Sequence, residues 1–354
     1  MKLRELFRTQ GLPVLQNRVF ATAAEALASP TGDMVLVQAM DTGLTFNSAF
    51  DPQRLEYDQN YQNEQACSGV FKNHLDAVTA VIHRHFHGRT TLIEIGCGKG
   101  YFVDHLRAQG YNITGIDPAY EGNNPSVVKA RFERGLGLSA DAVILRHVLE
   151  HVPDPLSFLS SIAHANGAKG NIYIEVPCFD WICRRRAWFD IFYEHVNYFR
   201  MTDFQRMFGT LLESGCVFGG QYLYIVADLS SLRRPIYDQT CALDFPGDFL
   251  DGIERLCSIA GSRERNAIWG AASKGVVFAV YLQRAGARLE FAIDINPAKQ
   301  NKYLASSGLL VLPPEQALRL LQPGDNVFVM NSNYLDEIVA QSGNQYHYCK
   351  VDHE

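Results

Sequence analysis

The 354-residue chain lacks several features that would each fix a class of protein. It has no long apolar run, and its first residues are charged at Lys2, Arg4, Glu5 and Arg8, so we expect neither a membrane span nor a signal peptide. It has no basic stripe and a net charge of −6, so nucleic acid is not an expected partner. It has no tandem repeat or low-complexity tract.

Paired cysteines are also absent. The eight cysteines include no C-x-x-C pair, and none precedes Cys67. Disulfide frameworks belong to short, cysteine-dense secreted chains, so we expect reduced, mostly buried thiols in a cytoplasmic protein. A composition of 47% hydrophobic and 20% charged residues is typical of a globular protein, and the length suits two or three domains.

The hydrophobic pattern divides the chain into three blocks. Residues 1–66 form an N-terminal lobe with one strand-like segment, Met34 to Met40. Residues 67–232 alternate helix and strand patterns, which predicts βαβ units around a parallel sheet. Residues 233–354 resume that alternation after a patch rich in proline and aspartate, which predicts a second, smaller α/β domain.

The most informative segment is a glycine-rich turn between a buried strand and a helix. Its residues are Glu94, Gly96, Cys97, Gly98 and Gly100. The glycines let the backbone turn sharply and let a ligand lie against it. The next strand ends at Asp117, followed by Pro118, and a carboxylate there is placed to accept hydrogen bonds from both ribose hydroxyls of a nucleoside.

The spacing of this turn departs from G-x-G-x-x-G, and Glu94 would repel a pyrophosphate. Both observations favour S-adenosylmethionine, a cationic nucleoside without phosphate, over NAD and over a purely structural turn.

These motifs and a third one together resemble the class I S-adenosylmethionine-dependent methyltransferases. The third motif is Asp141-Ala-Val-Ile-Leu-Arg-His-Val-Leu-Glu-His-Val-Pro-Asp-Pro155. The resemblance implies an α/β fold with a central Rossmann-like methyltransferase domain, a small N-terminal lobe and a second C-terminal α/β domain. It also implies that S-adenosylmethionine is converted to S-adenosylhomocysteine in a site lined by Arg146 and His147, with Tyr61 closing it.

Four further segments are similar to the C-methyltransferases of nucleotide-linked keto-sugars. They are the Glu-His signature in Asp190 to Phe199, the Gly-Gly pair in Gly219 to Tyr222, Trp269 to Gly275, and Asp294 to Gln300. The linker Phe46 to Tyr61 matches as well. The resemblance implies a nucleotide-sugar substrate bound partly by the C-terminal domain. The expected substrate-binding residues are Tyr198, Gly220, Gln221, Ser273 and Lys274.

Methylation of carbon requires that a proton beside a carbonyl be removed, and histidine is a natural base for that step. We expect His195 to be the base, with Glu194 favouring the imidazolium and His151 holding the keto oxygen or sharing the proton. Tyr193 completes the candidate catalytic set. Members that act on deoxy-aminosugars have a tyrosine two residues before the glutamate, where this chain has Phe192.

No metal is expected. The family usually holds zinc with cysteine pairs in its first block, but Ala39 and Thr42 stand where the second pair should fall. His83, His85 and His87 do not share one helix face, so we interpret them as solvated side chains rather than metal ligands.

Other readings stay open at this point. The chain could be an O- or N-methyltransferase of a sugar or other small metabolite, which would keep its activity without His195, or a binding protein without catalysis. Its C-terminal domain could serve only packing or dimerisation, since glycine-containing βα turns are common. A monomer or a homodimer is expected.

Overall fold

The computed structural model describes residues 2–55, 60–62, 68–86, 90–137 and 139–352. Strands and helices are numbered in chain order. The described residues form three parts, each built around its own sheet, and a further two-stranded sheet joins the first part to the last.

The N-terminal lobe is an antiparallel sheet that borrows a strand from the central domain. Its elements are β1 (Leu3–Pro13), β2 (Val19–Phe20), α1 (Ala23–Leu27), β3 (Thr31–Ala39) and β4 (Thr45–Asn47). The sheet order is β1-β3-β4-β10, where β10 (Asn197–Tyr198) directly follows the Glu-His signature. The strand expected at Met34 to Met40 is β3, whereas β1 was not predicted because its alternation is interrupted by charged residues.

The central domain is a seven-stranded sheet with helices between its parallel strands. Its strands are β5 (Thr91–Ile95), β6 (Asn112–Ile116), β7 (Val127–Val128), β8 (Ala142–Arg146), β9 (Asn171–Pro177), β11 (Leu211–Val217) and β12 (Tyr222–Asp228). Its helices are α2 (Gly69–His85), α3 (Tyr101–Ala108), α4 (Pro155–Ala165), α5 (Phe179–Arg184) and α6 (Met201–Met207). The strand order is β11-β12-β9-β8-β5-β6-β7, and β12 is antiparallel to both of its neighbours, β11 and β9.

The sequence dictates these elements through its apolar spacing. Helix α2 buries Phe71, Leu75, Val78 and Ile82, which recur at helical period on one face. Strand β8 is buried along almost its whole length, as expected for a parallel strand covered on both faces.

The C-terminal domain is a five-stranded, fully parallel sheet. Its strands are β13 (Asn266–Trp269), β14 (Phe291–Ile293), β16 (Val311–Leu312), β17 (Asn326–Val329) and β18 (His347–Lys350). Its helices are α7 (Gly252–Gly261), α8 (Ser273–Arg284), α9 (Pro314–Leu320) and α10 (Leu335–Ser342). The order is β16-β14-β13-β17-β18, and β15 (Tyr303–Leu304) instead pairs with β2 of the N-terminal lobe.

Both parallel sheets reverse their strand order at one point. In the central domain this point lies between β5 and β8, and in the C-terminal domain between β13 and β17. Ligands of open α/β sheets bind in the crevice outside the carboxyl ends of the strands at such a point. Each domain therefore offers one crevice.

One apolar core runs through all three parts. It contains Met34 of the lobe, Ile93 of the central sheet and Phe278 of α8. Trp188 stacks on Phe278 with ring centroids 5.7 Å apart, which joins the central and C-terminal domains. The proposed domain limits, 1–66, 67–232 and 233–354, stay predictions. Among the described helices, none has the length and apolarity needed to cross a membrane.

Candidate active site

The glycine turn after β5 leaves room for a ligand. Gly96, Gly98 and Gly100 all have positive φ, a conformation that side chains other than glycine disfavour. A Cβ on Gly96 would collide with Val148, whereas one on Gly98 would meet no heavy atom within 4 Å. Gly100 begins α3 in the left-handed conformation with no side-chain cap, so the first amides of that helix remain available.

Asp117 lies directly behind this turn. Its Oδ2 accepts a hydrogen bond of 2.8 Å from the Gly98 amide, and its Oδ1 accepts one of 2.8 Å from Ala119. The carboxylate thus holds the turn in place and keeps further lone pairs for a ligand. Pro118, predicted as part of the same site, is exposed beyond the strand tip.

Glu94 and Arg146 form the charged floor of the crevice. Burial raises the pKa of Glu94 to about 7; the positive charge of Arg146 opposes this shift, and Asp117 and Glu175 add to it. The Arg146 guanidinium is 3.8 Å from Glu94 Oε1 and 3.9 Å from Glu175 Oε1, and it covers the ring of Phe102 at 4.4 Å.

His147 is held between two buried carboxylates. Its φ is +52°, and its Nε2 and Nδ1 are 3.0 Å from Glu175 Oε1 and 3.4 Å from Glu150 Oε1. Burial lowers the pKa of His147, but the contacts with Glu150 and Glu175 outweigh it and raise the pKa to about 9. His147 is therefore a cation at neutral pH.

His151 and His195 meet in the middle of the site, with ring centroids 4.8 Å apart. His151 Nδ1 is 2.9 Å from the backbone oxygen of Glu194, so this nitrogen carries the hydrogen and Nε2 keeps its lone pair. His195 is buried against Phe192, with centroids 3.9 Å apart, and its Nδ1 has no hydrogen-bond partner among the described residues.

Glu150 supplies the carboxylate nearest to His195. Its Oε1 is 4.0 Å from His195 Nε2, and neither of its oxygens accepts a hydrogen bond from the described residues. Donor atoms of Glu150, His151 and His195 lie within 4.8 Å of one another. Neighbouring ligands of a tetrahedral zinc ion are about 3.4 Å apart, so the observed spacing suits proton transfer better than metal binding.

Glu194, expected to support His195, points elsewhere. Its Oε1 accepts from the Gln16 amide at 2.7 Å, and its Oε2 accepts from the Tyr61 hydroxyl at 2.6 Å. Burial raises the pKa of Glu194, while His151 and Tyr61 oppose that rise. The expected pairing of Glu194 with His195 is therefore corrected: the Glu194 carboxylate ties its loop to the N-terminal lobe, and its backbone oxygen contacts His151.

Two of the predicted tyrosines lie in the core instead of the site. The Tyr193 hydroxyl accepts from the Asp51 amide, and its ring stacks on Phe50. The Tyr198 hydroxyl bonds the backbone of Phe192. Both side chains are almost fully buried, within a segment, residues 191–200, that is buried throughout. Neither one can contact substrate in this arrangement.

The C-terminal turn presents Ser273 and Lys274 to the site. The ammonium of Lys274 is 2.9 Å from Asp190 Oδ2, donates to Gln221 Oε1 at 2.7 Å, and lies 5.0 Å from the ring of Trp181. Gln221 therefore acts behind Lys274 and does not face the ligand. Gly220, with a φ of +85°, is packed against Trp181.

A single cavity of about 390 Å³ connects these parts. The predicted residues that line it are Glu94, Gly96, Cys97, Gly98, Arg146, His147, Tyr61, His151, His195, Ser273 and Lys274. The predicted residues outside its wall are Gly100, Asp117, Pro118, Glu194, Tyr193, Tyr198, Gly220 and Gln221. The cavity thus runs from the central crevice, past the two histidines, to the C-terminal crevice.

Several lining residues were missed from the sequence, namely Asn17, Glu150, Asp190, Asp294 and Lys299. Glu150 had a usable signal, because it follows β8 at the carboxyl edge of the sheet beside His151. Asn17 had none: it reaches the site because it bonds Ser273 Oγ at 2.9 Å and accepts from Lys299 Nζ at 3.0 Å.

The histidine triplet is not a metal site in the part that the structure describes. His83 Nδ1 is 3.0 Å from the Tyr111 hydroxyl, and His85 Nε2 is 2.7 Å from Glu213 Oε2, so the two rings have separate partners. His87 lies outside the described residues.

Comparison with known families agrees with this two-domain site. Residues 57–211 match a family model described as a methyltransferase domain, and residues 251–348 match one described as a C-methyltransferase C-terminal domain. The chain is a methyltransferase. The methyl donor of its central domain is S-adenosylmethionine.

Individual relatives of this methyltransferase are distant. It is 22% identical over 286 residues to the C-methyltransferase NovU of Streptomyces niveus, covering 70% of this chain and 68% of that protein. It is 30% identical over 99 residues to the ubiquinone biosynthesis O-methyltransferase of Aeromonas salmonicida, covering 23% of this chain and 41% of that protein. A solved 1,6-didemethyltoxoflavin-N1-methyltransferase from Burkholderia thailandensis aligns with a TM-score of 0.35 and 16% identity, over 53% of this chain and 96% of that one.

The central crevice fits the donor on its own geometry. Open space beside Gly98 lets a ligand lie against the backbone, and the Glu94 carboxyl group lines the crevice there. Asp117 lies behind the turn, and its contact with the donor ribose stays a prediction. Arg146 and His147 line the same crevice. A pyrophosphate bound in this crevice would lie against the Glu94 carboxyl group rather than against unpaired backbone amides.

Proposed function

We propose that the enzyme methylates a carbon atom next to the ketone of a nucleotide-activated keto sugar. The observation that carries this proposal is the continuity of the cavity: the donor crevice, the pair His151 and His195, and the C-terminal crevice share one space. A substrate in two parts, a reactive sugar and an anionic nucleotide, fills such a space from one end to the other. The relationship to a C-methyltransferase and the C-terminal family match support it.

His195 is the base in this scheme. Burial lowers its pKa well below the ordinary value, and the positive charges of His151, His147 and Lys274 lower it further. The ring is therefore neutral and able to accept a proton at physiological pH. The proton leaves the carbon for a ring nitrogen of His195, and the electron pair of the C–H bond becomes the enolate.

His151 is placed to assist at the ketone oxygen. The backbone oxygen of Glu194 fixes its tautomer, so the Nε2 side is the one that faces His195 and the cavity. When this ring is protonated, it donates to the developing enolate oxygen. When bound, S-adenosylmethionine supplies an electrophilic methyl group, which the enolate carbon takes as the carbon–sulfur bond breaks.

The C-terminal crevice holds the nucleotide in this proposal. Helix α8 begins with no side-chain cap at Ala272, so its first amides face the cavity near Ser273. Lys274 and the almost buried Lys299 add positive charge there, which suits a diphosphate.

The test combines labelled donor with a panel of dTDP-, GDP- and CDP-linked keto sugars, with mass spectrometry to locate the new methyl group. In D₂O, wild-type enzyme with S-adenosylhomocysteine should also exchange the substrate proton, which reports deprotonation without methyl transfer. His195→Ala should abolish both signals, with a loss of at least about 100-fold, while donor affinity is retained. His164→Ala, a change at an exposed histidine, is the matched control.

A methyl group on oxygen or nitrogen, together with activity that survives His195→Ala, would show the second candidate, an O- or N-methyltransferase. The aligned ubiquinone O-methyltransferases make that outcome worth measuring. Loss of donor binding in His195→Ala would instead place this residue in the donor site.

A further inference from the structure

Glu150 is a buried acidic residue that has no role in the proposed methylation reaction. It is 1% exposed, both of its oxygens lack hydrogen-bond partners among the described residues, and it lines the cavity. A buried carboxylate without hydrogen bonds is costly, so its retention between two imidazoles needs a reason.

The position of Glu150 is set from both sides. His147 Nδ1 is 3.4 Å from Oε1 on one side, and His195 Nε2 is 4.0 Å from the same oxygen on the other. His147 is itself anchored to Glu175, which also accepts from Tyr173 at 2.7 Å and contacts His74 at 3.0 Å. Backbone strain at His147, in the left-handed region, persists because these contacts hold its ring.

The two ring nitrogens of His195 therefore differ. Nδ1 is buried and has no hydrogen-bond partner among the described residues, whereas Nε2 lies 4.0 Å from Glu150 Oε1. In the protonated ring, the hydrogen on Nε2 faces the Glu150 carboxylate. The 4.0 Å separation shortens to a hydrogen bond when the ring becomes a cation, as often happens to loose contacts in ligand-free sites.

We propose that Glu150 is the positioning residue of the base: it orients the ring of His195 and provides the counter-charge for its protonated form. This inference rests on the proposed function for its role in catalysis, but the pairing of Glu150 with His195 is measurable without substrate. The charged groups that face His195 are Glu150, His151, His147 and Lys274. Of these, only Glu150 is negative.

The experiment compares wild-type enzyme with Glu150→Gln, which keeps the shape and removes the charge, and with Glu150→Asp, which restores the charge. NMR titration of the His195 ring, assigned with His195→Gln, should show a lower pKa in Glu150→Gln and recovery in Glu150→Asp. The same shift should move the acid limb of the kcat profile to lower pH, because a base with a lower pKa stays neutral down to a lower pH. The value of kcat should fall about 100-fold, with KM and donor affinity nearly unchanged.

Glu213→Gln is the matched control, since Glu213 also pairs with a histidine, His85, outside the cavity. An unchanged His195 titration and acid limb in Glu150→Gln would overturn the proposal. So would activity that a chelator abolishes, with bound metal lost in Glu150→Gln, because Glu150 would then be a metal ligand. Failure of every keto sugar as a substrate would instead remove the proposed function and leave the NMR result standing.

Discussion

The central and C-terminal domains build the same turn and place different side chains around it. In each, a strand ends in glycine and a helix follows, and an acid at the tip of the next strand accepts from a turn amide. Asp294 Oδ2 accepts from Ala271 at 2.9 Å, as Asp117 accepts from Gly98. Two residues before the first glycine, however, the central strand has Glu94 and the C-terminal strand has Ile268.

The strand topology forms the crevice in both domains, and the side chains around each crevice determine which ligand it can bind. The central turn leaves space at Gly98 and has a carboxyl group beneath it, which suits a cation. The C-terminal turn is closed: Gly275 lies against the carbonyl of Gly270, and lysines supply the charge. In the proposed function, one end of the cavity binds the sulfonium nucleoside and the other binds the anionic part of the substrate.

The largest effect on stability should come from adding a side chain in the closely packed glycine turn of the C-terminal domain. Gly275→Ala places a methyl group against the Gly270 carbonyl, and we expect a loss of about 3 kcal/mol in the free energy of unfolding. Gly98→Ala meets no atom and should cost only about 1 kcal/mol for its left-handed backbone, yet weaken donor binding. Urea unfolding and calorimetry measure both. Equal costs would mean that the two turns are packed alike.

The two strand-tip acids should separate the ligands. Asp117→Asn should lower the affinity for the methyl donor by about 100-fold and leave the affinity for the nucleoside diphosphate, the anionic part of the proposed substrate, unchanged. Asp294→Asn should lower the affinity for the nucleoside diphosphate by about 100-fold and leave the affinity for the donor unchanged. Titration calorimetry with each ligand gives both numbers. If either variant weakens both ligands equally, the ends of the cavity do not act independently.

Glu94 should make the stability of the donor end depend on pH. Its folded pKa of about 7 is above the unfolded value, so the folded state holds an extra proton between about pH 4.5 and 7. Stability from this group is present at low pH and is lost as pH rises through the folded pKa of about 7; between pH 5.5 and 8 the loss is roughly 2 kcal/mol. Glu94→Gln should remove that dependence in urea unfolding at pH 5.5 and 8. Ile268→Val, at the matching position, should leave the slope unchanged.

The smallest effect should come from Lys274. Because Asp190 and Gln221 already engage its ammonium, Lys274→Met should raise KM for the nucleotide sugar by only about tenfold and leave donor affinity unchanged. Steady-state kinetics at saturating donor measure it. An unchanged KM would assign Lys274 to joining the domains alone.

The part of the site that lies on the loops of consecutive βα units could be predicted from the sequence. The turn at Gly96, the acid at Asp117 and the segment ending at His147 follow from strand and helix periods, because a parallel βα unit places its loops at one edge. Their close approach in the structure follows from that rule.

The rest depends on contacts between distant segments. Glu194 looked like the partner of His195 because the two are neighbours in sequence, but its carboxyl meets Gln16 and Tyr61 instead. Tyr193 was expected in the catalytic set and Tyr198 at the substrate, but both are buried: Tyr198 lies in β10, which pairs with β4, and Tyr193 packs on Phe50. The hydrophobic periodicity within one segment does not reveal which distant segment it will contact.

The pairing of β2 with β15 has a consequence for how the chain is made. Val19 and Phe20 pair with Tyr303 and Leu304, so this ribbon can close only after most of the polypeptide has left the ribosome. The N-terminal lobe therefore reaches its full set of contacts late in synthesis, once the C-terminal domain has been made.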